Sequence, residues 1–419
     1  MENRDRKLDT SILLRTVGAV FTEPGRLEQT STSKRLTLKL MTHKETAQAA
    51  FDGVEEELRD ISKWMYENPE TAYEEHESSS RLAGFLESNG FNVSYPAYGL
   101  ATAFEATAGT TGPRVVICCE YDALPDVGHA CGHNIIATSS LGAGACLAGL
   151  VDELGIRVTV LGTPAEEGGG GKIDLIKAGA FEDAAASMLI HPGIRNIADP
   201  RVLAAQGILV EYHGKTAHAA ATPHEGINAL DAFVQAYNNV ATLRQQFEPG
   251  DRVHGVIEGG GSAANVIPDY TRSSWIVRSE TSERFEVLKT RIIECFDAAA
   301  RATGCTLEYT TEWDPYIDLV SNPVLFELFV TNSRALGRDM PTFAESGQKT
   351  YASTDMGNVS HVVPSIHPSL KIETDAVNHQ PEFAAATITP SGDRAIRDGA
   401  LAMAGTIIDM AEQAVWDRL

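Results

Sequence analysis

Between Glu120 and Asn134 the chain reads Glu-Tyr-Asp-Ala-Leu-Pro-Asp-Val-Gly-His-Ala-Cys-Gly-His-Asn, which gathers Asp122, Asp126, His129, Cys131 and His133 in one short span. Thiolate and imidazole are ligands that suit zinc-like metals. Cys131 and His133 stand two apart, so an extended segment would point both side chains the same way. Taken alone, the span is explained equally well by a Cys buried as a small hydrophobe beside two capping histidines. Further along, Glu166 and Glu167 are adjacent. One such carboxylate can hold a metal while its neighbour takes a proton from the water that the metal activates. Taken alone, that pair also fits a solvated turn ahead of a helix, whose N-terminus favours acids.

The elements that carry these residues make the metal reading stronger. Arg114–Cys119 is an apolar run that reads as a buried strand of a parallel sheet, followed by a helix over 135–151. Arg157–Gly162 reads as a strand ending at Glu166-Glu167, and 185–190 as a strand ending at His191. Three strand ends thus carry ligand-type residues, and open α/β sheets place their chemistry at the carboxyl ends of strands. The four glycines at 168–171 do not make a phosphate loop. Glu166 stands where the first glycine of that motif belongs, and Lys172 is followed by Ile173.

Helices are expected over 45–67, with Phe51, Val54, Leu58, Ile61 and Trp64 on one face, and over 74–88. Strands are expected near 91–95 and 101–106, and a short helix over 172–178. The pattern then changes to strand 207–213, helix 227–246, strands 253–258 and 271–279, helix 285–303 and strand 306–311. That βαββαβ order describes a small two-layer unit. Helices over 322–336 and 395–416 close the chain. The expected architecture is α/β: a mostly parallel sheet with helices on both faces, plus an inserted βαββαβ lid or dimerisation domain. The divisions are 1–40, a disordered N-terminal arm or an upstream start; 41–205, the first part of a catalytic domain; 206–316, the lid; and 317–419, the second part.

A net charge of −23, with 57 acids against 34 bases, argues against a nucleic-acid partner and against an anionic membrane surface. No apolar run approaches the ~20 residues that cross a membrane. Six Cys in 419 residues, two of them adjacent in an expected buried strand, do not form a disulfide framework and point to a reducing, cytoplasmic setting.

Seven stretches, in order, resemble the M20 metallopeptidase and amidohydrolase family: 129–134, 164–171, 214–220, 225–232, 264–269, 353–360 and 378–383. The closest branch is subfamily D, which includes aminobenzoyl-glutamate hydrolases and a group of dipeptidases. The resemblance runs from about Lys44 to the C-terminus. It implies a hydrolase of amide bonds with two divalent metal ions, Zn²⁺ by the softness of a thiolate ligand, with Mn²⁺ or Co²⁺ as alternatives. By the family pattern Cys131, His133, Glu167, His191 and His379 would bind metal, Glu166 would be the general base, and Asp122 would support the site from behind. His218 would reach into a partner subunit's site and steady the oxyanion, while Asn265 and Arg278 would hold the substrate's carboxylate. Asp355 and Asn358 would support the pocket wall. Asn134 stands where many members of the subfamily carry Asp. His224, His254, His361 and His367 have weaker claims. The implied substrate is a small N-acyl amino acid or dipeptide, and the implied assembly a homodimer or higher homo-oligomer. The rival readings are an aminoacylase-type hydrolase of N-acyl amino acids and a non-catalytic metal-binding scaffold.

Overall fold

The computed structural model describes residues 41–347 and 352–419, so the expected arm over 1–40 lies outside the described residues. Strand Arg114–Cys119 is buried along its whole length. It lies between the parallel strands Arg157–Gly162 and Ala184–Met188. The six-stranded sheet runs 92–94, 104–108, 157–162, 114–119, 184–188, 365–366, with strand 104–108 antiparallel to both its neighbours and the other pairs parallel. Side chains that alternate along a strand enter opposite layers. Val115, Ile117 and Cys119 join a core shared with helices His43–Glu67, His133–Ala148 and Pro390–Glu412. Val116 and Cys118 join another, with Leu175, Met356 and Val359. Burial on both faces is why this strand is an unbroken apolar run.

The chain then builds a four-stranded antiparallel sheet in the order 306–311, 204–213, 270–279, 252–259. Helices Ala229–Leu243 and Ser282–Thr303 pack against it through Ala232, Ala236, Val240, Phe285, Leu288, Ile292 and Phe296, which meet Ile208, Val210, Val253 and Trp275. Strand, helix, strand, strand, helix, strand is the order expected from the sequence.

Two local expectations change. The strand expected to end at His191 stops at Met188, and His191 opens a separate strand, His191–Gly193, parallel to Ser369–Lys371. Pro368 has no N–H with which to extend the ladder past Ile366, so the two chains leave the large sheet and pair again beyond it. The helix expected from 135 starts at His133, and Gly132 before it is left-handed at φ 83°. The segment holding Cys131 and His133 is therefore a turn, not an extended strand. A side chain at Gly132 would also meet Pro192 at 2.4 Å, so only glycine fits.

Helix His133–Ala148 is buried along nearly its whole length because its small residues allow close approach. A Cβ at Gly142 would lie 2.9 Å from Ala400, 3.0 Å from Phe51 and 3.1 Å from Leu58. Gly142→Leu is expected to destabilise the protein by about 3 kcal/mol through overpacking, read as a lower denaturant midpoint. An unchanged midpoint would contradict this close crossing.

Candidate active site

Strand Arg114–Cys119 delivers Glu120 and Asp122 into the interior, where both are essentially unexposed. Asp122 faces two ways. Its Oδ1 lies 2.9 Å from His133 Nδ1, and its Oδ2 accepts the backbone N–H of Glu167 at 2.9 Å. The carboxylate makes Nδ1 of His133 the protonated nitrogen and leaves the Nε2 lone pair free. That Nε2 is buried without a hydrogen-bond partner, 3.6 Å from Glu120, 3.8 Å from Glu166 and 3.9 Å from Glu167. Burial opposes the charged form and Asp122 favours it, and Asp122 outweighs burial, so the imidazole is held well above its ordinary value; a metal at Nε2 would take the place of the proton there.

His191 repeats the arrangement. Its Nδ1 donates to the Pro192 carbonyl at 2.8 Å, and its Nε2 lies 3.5 Å from Cys131 Sγ. His379 approaches from the loop ahead of helix Pro381–Thr387, tied down by its own N–H to the Ala130 carbonyl at 2.9 Å. Its Nε2 is 3.4 Å from Glu167 Oε1. Burial alone would raise Glu167, but His379 and His133 hold it down to about 2. Cys131, His133 and His191 form one compact group of ligand atoms, and Cys131, Glu167 and His379 another that shares the thiol. Two ligands on one tetrahedral zinc, at about 2.3 Å for sulfur and 2.0–2.2 Å for nitrogen or oxygen, stand roughly 3.4–3.6 Å apart. The 3.5 Å Cys131–His191 and 3.4 Å Glu167–His379 separations match that spacing. With His133 Nε2 buried and without a hydrogen-bond partner, this donor set fits a divalent metal.

Glu166 sits beside this group, 6% exposed rather than on a solvated turn. Burial raises its carboxyl well above the usual range, and the charges of Glu120 and Glu167 add to that. A carboxyl raised in this way and facing the ligand group is suited to accept and return a proton.

Sequence reasoning missed the charge network under Glu166. Lys172, fully buried, pairs with Glu120 at 2.7 Å and Asp355 at 2.6 Å, and its backbone N–H donates to Asp355 at 2.9 Å. Burial works against its charge, but these two carboxylates hold the ammonium well above its ordinary value. One signal was a lysine standing among apolar residues at the start of helix Gly171–Lys177. His367 also lies against this group. It is 5% exposed, its ring meets that of His191 edge-on with centroids 5.5 Å apart, and neither of its nitrogens has a partner. Asn134 points away from the group, donating to Ser62 and Thr387 at 3.0 Å each.

The residues expected on the lid are not part of this group. Among the described residues, no hydrogen bond or ion pair joins His218, Asn265 or Arg278 to it. His218 is exposed on a loop whose Ala219 N–H donates to the Asn265 carbonyl at 3.0 Å. Its Nδ1 accepts the N–H groups of Ala220 and Ala221 at 3.2 Å, which leaves Nε2 as the outward donor. Arg278, on strand Tyr270–Ser279, is partly buried, and among the described residues no carboxylate pairs with it.

Lys172→Met is expected to destabilise the fold by about 3–5 kcal/mol, because Glu120 and Asp355 would be left buried without a counter-charge. Equilibrium unfolding at neutral pH checks this, and a variant as stable as the parent would contradict a charged Lys172.

Residues 204–304 match the peptidase dimerisation domain family model. The chain is 40% identical over 402 residues to a mouse Xaa-Arg dipeptidase, an alignment that covers 93% of this chain and 91% of the mouse protein. It is 29% identical to one of the subunits of the Escherichia coli p-aminobenzoyl-glutamate hydrolase, over 62% of this chain and 58% of that one. Among solved structures, a dinuclear metal-binding peptidase of the M20 family from Bacillus subtilis superposes with a TM-score of 0.66 at 18% identity, covering 85% of this chain and 99% of the other.

Proposed function

Because the chain belongs to the M20 family of metallohydrolases, we propose that it cleaves the peptide bond of small dipeptides, with those ending in arginine as the first candidates. The observation that carries this reading is the convergence of five metal-type side chains in two compact groups that share the Cys131 thiol, with the raised carboxyl of Glu166 alongside. The arginine preference is suggested by the name of the mouse relative.

In this reading Cys131, His133, Glu167, His191 and His379 hold two divalent ions, zinc by the softness of the thiolate. Bound there, the ions supply Lewis acidity for the amide carbonyl and lower the pKa of water. Glu166 takes the proton of the attacking water and passes it to the leaving amine. Asp122 keeps the His133 tautomer fixed and holds the Glu167 backbone in place. Arg278, among the described residues without a carboxylate of its own, clamps the substrate's carboxylate together with Asn265. The dimerisation-domain match supports a homodimer in which the partner subunit's His218 donates Nε2–H to the oxyanion. On this reading 206–316 is the lid, and 41–205 with 317–419 form the catalytic body. All six cysteines are free thiols, which supports a cytoplasmic setting. The Escherichia coli relative favours a second reading, hydrolysis of N-acyl amino acids.

A panel of Xaa-Arg and Xaa-Leu dipeptides, p-aminobenzoyl-glutamate and N-acetyl amino acids separates the two readings, with the dipeptides expected to be cleaved fastest. Glu166→Gln should lower kcat at least ~10²-fold while bound metal stays at the parent level, and parental turnover in that variant would remove the base assignment. Mixed dimers of His218→Ala and Glu166→Gln subunits should regain activity, since both defects can fall in one composite site. Dimers that stay inactive would place His218 at its own subunit's site.

A further inference from the structure

Glu166 belongs to a loop that hydrogen bonds grip from three separate parts of the chain. Glu75, ahead of helix His76–Ser88, accepts the Ala165 N–H at 2.8 Å. Asp122 accepts the Glu167 N–H at 2.9 Å. Between them, the Tyr316 hydroxyl donates to the backbone carbonyl of Glu166 itself at 2.7 Å. Ala165 is held in the left-handed region at φ 58°, a conformation that a non-glycine residue keeps only when its surroundings impose it. The aim of the Glu166 side chain therefore depends on how well this backbone is held.

Tyr316 is well placed to hold it. It lies just past strand Thr306–Thr311, where the chain leaves the four-stranded sheet. Its N–H donates to the Ala205 carbonyl at 3.0 Å and its carbonyl accepts the Ala205 N–H at 2.8 Å, pairing the chain's exit from that sheet with its entry. Asn358 brackets it on either side, accepting the Ile317 N–H at 3.3 Å and donating to the Pro315 carbonyl at 3.0 Å. The ring lies against Gly170, where a Cβ would come within 3.0 Å of it. Burial first, then the nearby Asp355 and Glu166 charges, push the phenol far above its ordinary value, so it remains an O–H donor across the working pH range.

We propose that Tyr316 is a positioning residue for hydrolysis, its hydroxyl fixing the Glu166 backbone so that the carboxylate meets the attacking water. In this role Tyr316 acts through Glu166, whose carbonyl its hydroxyl holds, so the inference rests on the reading of Glu166 as the general base. A displacement of about 1 Å at a reacting group is enough to cost ~10²-fold in rate.

The test is Tyr316→Phe, which removes one oxygen, made in the full chain both alone and together with Glu166→Gln. Alone it should lower kcat ~10-fold or more with KM within about twofold, and with metal content and melting temperature as in the parent. Added to Glu166→Gln it should cause no further loss, because residues that act as a unit are not additive. A Tyr316→Phe kcat within about twofold of the parent would overturn the inference. So would a loss that multiplies with that of Glu166→Gln, or a failure to fold, which would make the role structural. Glu166→Gln retaining parental kcat would instead refute the reading of Glu166, so the two failures are distinguishable.

Discussion

One carboxylate ties the site together: Asp122 binds His133 through one oxygen and the Glu167 amide through the other. The first bond fixes which nitrogen of a buried imidazole carries a proton. The second fixes the backbone that presents Glu166 and Glu167. Asp122 can do both because it stands three residues past a strand buried on both faces, where the surrounding helices leave it no freedom to turn toward solvent. Loss of that carboxylate would loosen the start of helix His133–Ala148 and remove one of the three grips on the loop that carries Glu166 and Glu167.

The charges around it are expensive to bury and are arranged to reduce the expense. Lys172 pairs with Glu120 and Asp355, while burial and the charges of Glu120 and Glu167 raise Glu166. His133 Nε2 is buried without a hydrogen-bond partner, as are both ring nitrogens of His367. Each such group costs roughly 1–3 kcal/mol. Groups in that state at the carboxyl end of a sheet suit a metal-binding role.

Much of the fold could be read from pattern. The apolar run at 114–119, the strand at 157–162 and the βαββαβ order are local signals, and local signals survive in a single sequence. The ligand types at 131, 133, 166, 167 and 191 were visible because each follows a strand. His379 follows none, and only the family resemblance singled it out. The Lys172–Asp355 bond joins residues 183 apart and the Tyr316–Glu166 bond residues 150 apart, so no periodicity announces either. The turn at Gly132 is not announced locally, because the requirement for glycine comes from Pro192, which belongs to another part of the chain. The burial of Glu166 has no local signal either. Paired acids usually face water, and only the packing of distant segments encloses these.

The proposed chemistry depends most on the unpartnered atoms being metal ligands. Metal-free protein titrated with Zn²⁺ in a calorimeter, with bound metal counted independently, tests this most directly. Two ions per chain are expected in the parent, and fewer in both Cys131→Ala and Glu167→Gln. A parent chain that binds no zinc, or variants that bind as much as the parent, would contradict it.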